Sequence, residues 1–342
     1  MPKRLICTAK KTLAWEDYEL TEPTGDQVLL VSEFAAAKHG TEMSCFKGVM
    51  YDRGHFDGEM AVWMPGAEGW CSFPVGVGNM IVARVEKTGP DVKTLAVGDK
   101  VCFHCCFQPS IVLPEGAVRK MPAGLGWKSA VCLDPAVFAF SAVRDGHVRV
   151  GDTVAVYGMG AIGLMVIQIA RLAGASKVIA IEPLANRRAV AKELGADLVL
   201  DPNACDAGLE VKKATDKRGA DVTIDYSGDV KAMHDALRGA AYGGNVVAGA
   251  MPSAYGAGLD FGAEAHFNVP NIIFSRACSQ PDRDHPRWSE RRITETCWQW
   301  IAQGRINGEP VVQPVVAYDE LINEYPLIAT NPERSVKLGA KF

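Results

Sequence analysis

Three glycines and one carboxylate in this chain have the types and spacing to hold a diphosphate and a ribose. The turn Gly158-Met159-Gly160-Ala161-Ile162-Gly163 follows a short apolar run, and a second apolar run ends at Glu182. Gly158 permits a tight turn, Gly160 removes any side chain between the backbone and a pyrophosphate, and Gly163 lets a helix pack closely on a strand. Glu182 is spaced to accept hydrogen bonds from both hydroxyls of an adenosine ribose. The cofactor implied is NAD, because a 2′-phosphate would meet a like charge. Arg187 and Arg188 keep NADP open, since either could reach that phosphate.

This chemistry needs elements that deliver it. A buried parallel strand over 154–157 must feed the glycine turn, and a helix over 164–173 must aim its amino-terminal dipole at the phosphates. A strand over 177–181 must then carry Glu182. The pattern continues with a helix over 186–194, a strand over 197–200, another helix, and strands over 221–226 and 245–249. Such alternation predicts an α/β fold with a doubly wound parallel sheet and ligands at the carboxyl ends of its strands. Before it, runs over 27–34, 79–88 and 100–107, separated by Gly, Pro and Asp, predict a β-rich part. After it come a helix over 291–304, a strand over 314–317 and a closing strand over 335–342. The expected organisation is residues 1–134 as one domain, 135–279 as the nucleotide domain, and 280–342 returning to complete the first.

Composition restricts the function. The chain has 342 residues, 48% of them hydrophobic, enough for two cores. Lys+Arg 36 against Asp+Glu 40 leaves a net charge of −4, with no basic footprint for nucleic acid. No apolar run is long enough to span a bilayer, and the first thirty residues lack a signal-peptide core, so a cytoplasmic protein without a membrane partner is expected. The ten cysteines are then expected as buried thiols or metal ligands rather than disulfides.

The order of motifs resembles a known family. Gly40-Thr41-Glu42 after an early strand, Val97-Gly98-Asp99-Lys100-Val101, Asp134-Pro135 before a helix, Val150-Gly151-Asp152-Thr153-Val154 leading into the glycine turn, and Asp225-Tyr226-Ser227-Gly228 look like the zinc alcohol dehydrogenases of the medium-chain dehydrogenase/reductase superfamily. The resemblance covers nearly the whole chain. It implies a GroES-like β-rich catalytic domain, a Rossmann domain with Ser227 beside the cofactor, a cleft between the two, and a homodimer or homotetramer.

The departures from that family are chemical. Its zinc-binding Cys is His39 here, and its Gly-His-Glu falls on Gly78-Asn79-Met80. Asparagine is a poor zinc ligand and methionine does not replace a carboxylate. Cys102, Cys105 and Cys106 lack the spacing of the family's structural zinc lobe. His39 and Asp134 remain as donors, with His55 or His104 as recruits, and these are too few for a defined site, so no metal is expected. The Gly-Thr-Glu variant is similar to a zinc-free branch of the superfamily. Without a Lewis acid a side chain must move the hydroxyl proton. By its place and its near-neutral titration His39 is the first candidate, with Thr41 as relay and Glu42 orienting His39 or Lys38.

Two segments suggest a polar substrate such as a polyol, sugar or hydroxy acid. Residues 49–74 form a long connection containing Tyr51, Arg53, His55, Phe56, Trp63 and Trp70. Residues 282–292 gather Asp282, Arg283, Arg287, Trp288, Arg291 and Arg292, suited to a carboxylate, a phosphate or a stacked sugar. Lys38, Asn79, Asp134, His55, Arg287 and Trp288 are the expected substrate contacts. Packed-loop readings of both segments stay open. So do three classes of function: an NAD-dependent dehydrogenase, a redox-neutral epimerase or lyase that keeps NAD bound, and a non-catalytic NAD-binding protein.

Overall fold

The computed structural model describes residues 1–65, 71–252, 254–279 and 284–342. The chain divides into two compact units: Met1–Val131 with Val312–Phe342, and Cys132–Val311. Trp70, Asp282 and Arg283 lie outside the described residues.

The first unit is discontinuous and β-rich. Its largest sheet runs Arg119–Lys120, Lys100–His104, Met80–Thr88, Gln27–Ala36, Lys337–Lys341, Val312–Ala317, with Ser110–Pro114 also pairing on Gln27–Ala36. The long strand Gln27–Ala36 is central because Val28, Leu30 and Ala35 are fully buried beneath it. Its registers break opposite Met80–Thr88 at Leu29/Leu30 and Ser32/Phe34. Such bulges bend a strand and increase its twist. A smaller sheet orders Thr12–Asp17, Lys3–Ala9 and Val75–Gly76. Leu5, Val85, Phe107, Tyr325 and Leu338 belong to one core cluster, so the carboxyl-terminal segment is built into the interior.

The second unit is a six-stranded parallel sheet in the spatial order Leu198–Leu200, Lys177–Ile181, Thr153–Tyr157, Ala220–Asp225, Ala240–Ala248, Asn271–Phe274. Numbered along the chain this is 3-2-1-4-5-6, the doubly wound order. Every residue of Thr153–Tyr157 is buried, which is why its sequence is an unbroken apolar run rather than an alternating one. Helix Ala161–Leu172 buries all residues from Gly163 to Ala170.

Two expectations need correction. The second unit extends to Val311, because helix Glu290–Ala302 packs on helix Leu133–Asp145 within it; the return begins at Val312, not residue 280. The connection over 49–74 is not bare loop: it holds the short helix Val49–Asp52 and the hairpin His55–Asp57/Val62–Met64. The sixth strand, Asn271–Phe274, had no visible signal: Ile272 and Phe274 are exposed, so core burial did not shape its pattern. No described helix is long and apolar enough to cross a membrane.

Candidate active site

In the second unit the glycine turn sits where the strand order reverses, between Thr153–Tyr157 and Ala220–Asp225. Gly158 has φ +88°, and a Cβ there would lie 2.7 Å from the backbone nitrogen of Ser227. A Cβ on Gly163 would strike the Gly158 carbonyl oxygen, whereas one on Gly160 would meet nothing within 4 Å. The two crowded glycines therefore close the turn, and the open one leaves the backbone approachable. Gly160 is the N-cap of helix Ala161–Leu172 and supplies no side chain to the first-turn N–H groups. A diphosphate fits that amino terminus.

Glu182 is 3% exposed. Its Oε2 accepts the Met159 N–H at 2.7 Å and its Oε1 accepts the Leu184 N–H at 3.0 Å. Each oxygen keeps a lone-pair direction, so two ribose hydroxyls can still be received. Arg188 is committed elsewhere: it donates to the Glu182 and Pro183 carbonyls at 2.8 and 2.7 Å and pairs with Asp201 at 3.0 Å. Burial pulls the Arg187 guanidinium below its usual value, and the Glu182 charge partly offsets this. Ser227 donates its hydroxyl and its N–H to Asp225 Oδ1, at 2.6 and 2.8 Å. Desolvation pushes the Asp225 carboxyl up to about 6.

In the first unit His39, Thr41 and Glu42 lie where strand Gln27–Ala36 gives way to helix Thr41–Phe46. His39 Nε2 accepts the Leu338 N–H at 2.9 Å, which assigns the ring proton to Nδ1. Ser335 Oγ stands 3.5 Å from the same nitrogen. Glu42 accepts three donors: the Lys38 N–H at 2.9 Å on Oε1, and the Gly78 N–H at 3.1 Å and Tyr325 hydroxyl at 2.9 Å on Oε2. Despite these bonds, desolvation pushes its carboxyl up to about 7. Tyr325 is fully buried, edge-on to Phe46 and Phe107, and the Glu42 charge adds to the burial that raises its hydroxyl well above the usual range. Lys337 is 2% exposed and donates to the Ala37 carbonyl at 2.6 Å; its charge lowers the Glu42 value somewhat.

His39, Thr41, Glu42, Lys38 and Asn79 thus belong to one unit, in a cluster completed by Tyr325 and Lys337. Asn79 Oδ1 is buried and meets no donor among the described residues. His55 is on the hairpin of that unit. Asp134, Arg287 and Trp288 belong to the other unit. Asp134 is buried in the first turn of helix Leu133–Asp145. Arg287 is exposed, while Trp288 packs on Phe140 with ring centroids 4.9 Å apart and carries the Arg292 guanidinium 3.9 Å from its own centroid. The indole is thus used in packing. Motif reading missed Tyr325 and Lys337. Tyr325 carries no local signal, whereas a lysine inside the apolar run Val336-Lys337-Leu338 is a buried charge that asks for a partner.

The donor set does not fit zinc. His39 Nε2 is taken by a backbone N–H, Asn79 offers a carboxamide, Met80 is buried, and no three His, Cys, Asp or Glu groups among the described residues are arranged around a common point.

A family model described as zinc-binding dehydrogenase matches residues 161–280. The chain is 42% identical to the D-guloside 3-dehydrogenase of Escherichia coli (strain K12), an alignment covering 99% of this chain and 100% of the other. It is 29% identical to a probable D-xylulose reductase A of Arthroderma otae (strain ATCC MYA-4605 / CBS 113480) over 52% of this chain and 60% of that one. The fold matches the crystal structure of 2R,3R-butanediol dehydrogenase from Bacillus subtilis, with TM-score 0.77, 19% identity and full coverage of both chains.

Proposed function

The chain belongs to the zinc-type medium-chain dehydrogenase/reductase superfamily, and from that premise we propose an NAD-dependent dehydrogenase that oxidises a secondary hydroxyl of a sugar glycoside without a catalytic metal. The observation that carries the cofactor assignment is Glu182: a buried carboxylate fixed by the N–H of Met159 favours ribose hydroxyls and disfavours a 2′-phosphate, while Arg188 is engaged elsewhere. The substrate class follows the whole-chain likeness to a protein named for guloside oxidation.

NAD, when bound, supplies the hydride acceptor. The protein's part is the proton. A carboxyl at about 7 can take a proton from a hydroxyl and return it near neutrality, so Glu42 is the proton-transfer group, with Thr41 as relay. His39 orients the segment through Leu338, and becomes a base only when Nε2 gives up that backbone N–H. Asn79 Oδ1 and Lys38 offer polar contacts to the sugar. The protein acts as a homodimer or homotetramer; the exposed edge strand Asn271–Phe274, with Phe274 84% exposed, supports self-association through the nucleotide unit.

The test is NADH formation by purified protein supplied with NAD and, in parallel, hexose glycosides, polyols and short alkanols. Glycosides are expected to give the highest kcat/KM. Equal rates with short alkanols, or stoichiometric zinc in an active preparation, would overturn the reading.

A further inference from the structure

The segment between Glu42 and Gly78 leaves and returns at one carboxylate, since Gly78 donates its N–H to Glu42. Its ends are drawn together by Tyr51 and Phe73, whose rings are 5.8 Å apart, and by Lys10, whose ammonium pairs with Asp52 at 2.5 Å and lies over the Tyr51 ring. From this base projects the hairpin His55–Asp57/Val62–Met64. It is held in shape: Asp57 Oδ1 accepts the N–H groups of Glu59 and Met60 at 2.9 and 2.8 Å, and Gly54, at φ +87°, packs against the Met64 carbonyl. Phe56 and Trp63 are directly opposed across the two strands, so they share a face that His55 and Met64 do not. Their rings meet edge to face at 5.8 Å, and the Arg53 guanidinium lies 5.6 Å from the Trp63 centroid. Phe56 nonetheless remains 48% exposed, beside Tyr51, Met60 and Val62, all exposed.

A preformed aromatic face left open to solvent is a binding surface by its chemistry. We propose that this face receives the aglycone of a glycoside, an aryl or alkyl group on the anomeric carbon, while the sugar ring is oxidised by the chemistry assigned to Glu42. The proposal rests on the glycoside reading above. Three observations choose this occupant. The hairpin is tethered at both ends to the proton-transfer carboxylate. Its face is aromatic and cationic rather than aliphatic, which suits the edge of an aryl ring and the C–H face of a pyranose. A glycoside is also the ligand whose reacting hydroxyl and apolar substituent are separate parts of one molecule.

The experiment compares methyl and phenyl β-D-gulosides with wild type, Phe56→Ala and Trp63→Ala, each checked for folding by circular dichroism. The wild type is expected to have the lower KM for the phenyl glycoside. Phe56→Ala is expected to raise that KM about threefold to tenfold, the range of one aromatic contact, with kcat and the methyl KM unchanged. Trp63→Ala should move the same constant in the same direction; if it does not fold, the exposed Phe56 position decides alone. Equal KM changes for both glycosides, or none, overturn the aglycone assignment and leave the glycoside reading standing. A lowered oligomeric mass in Phe56→Ala with unchanged kinetics assigns the face to a second copy and also overturns it. Failure of the wild type to oxidise either glycoside removes the functional reading, and the aglycone with it.

Discussion

The glycine turn and the Glu42 cluster bring buried carboxylates into play by opposite means. Glu182 takes its backbone donors from Met159 and Leu184, within one βαβ unit. Glu42 takes its donors from Lys38, from Gly78, and from Tyr325 near the carboxyl terminus. The first carboxylate is fixed by local chain geometry. The second is fixed only when the carboxyl-terminal segment, with Tyr325 and Lys337, has entered the core of the first unit. A nucleotide half-site that forms locally tolerates distant change. A proton-handling site assembled from distant segments can be retuned from far along the chain.

The largest expected effect breaks the second region at its centre. Glu42→Gln should lower kcat by about 10²- to 10⁴-fold, the usual range for losing a general base, while leaving NAD affinity unchanged by isothermal titration. Retained turnover would remove Glu42 from proton transfer. The same variant has a stability signature. The wild-type carboxyl has its value raised from 4.5 to about 7, so the native state binds the proton more tightly than the unfolded chain. Its stabilising contribution is complete below pH 4.5 and is lost as pH rises through about 7. Melting curves across that window should therefore fall less with pH for Glu42→Gln than for the wild type.

The corresponding break in the first region is Gly158→Ala. It forces a Cβ against the Ser227 backbone at φ +88°, and should cost about 1–3 kcal/mol in denaturant unfolding and abolish measurable NAD binding. Glu182→Gln is gentler. It replaces one acceptor by an amide that faces a backbone N–H, and should weaken NAD by about tenfold to a hundredfold. NADP should lose less, so the NAD/NADP ratio of kcat/KM falls; an unchanged ratio would return cofactor choice to Arg187.

The smallest effect sharpens the contrast. Tyr325→Phe removes one of three donors to Glu42 from a position far away in sequence. The Tyr325 bond lowers the Glu42 value, so its loss should move the acid limb of the kcat profile to higher pH, with stability down by only about 1 kcal/mol. A profile that keeps its position while activity falls would make Tyr325 a packing residue alone.

Much of the nucleotide unit was legible in the sequence because buried parallel strands read as apolar runs and each glycine of the turn answers a local steric demand. Lys177–Ile181 matched the expected run, and the neighbouring elements shifted by a residue or a few at their ends. Asn271–Phe274 escaped because an exposed edge strand has no periodic burial to impress on its residues. The segment around His39 was visible as chemistry but not as geometry. Neither the Leu338 N–H on its Nε2 nor the Tyr325 hydroxyl on Glu42 could be inferred, since both donors come from the far end of the chain. Trp288 misled for a related reason: an arginine-rich aromatic segment reads the same whether its indole meets a sugar or, as here, Phe140 and Arg292.

By itself, then, the sequence determined the glycine turn, the acid at the end of the second parallel strand, and the loss of the family's metal-binding residue types. These are properties of residue identity and of contacts short along the chain. Tertiary structure alone decided which atom of His39 is occupied, that Glu42 is desolvated to about 7, and that a tyrosine and a lysine from the carboxyl-terminal segment complete its surroundings. The physical reason is that a proton affinity depends on dielectric and on every nearby donor and charge, and in this protein those are gathered by strand pairing across the whole length of the first unit.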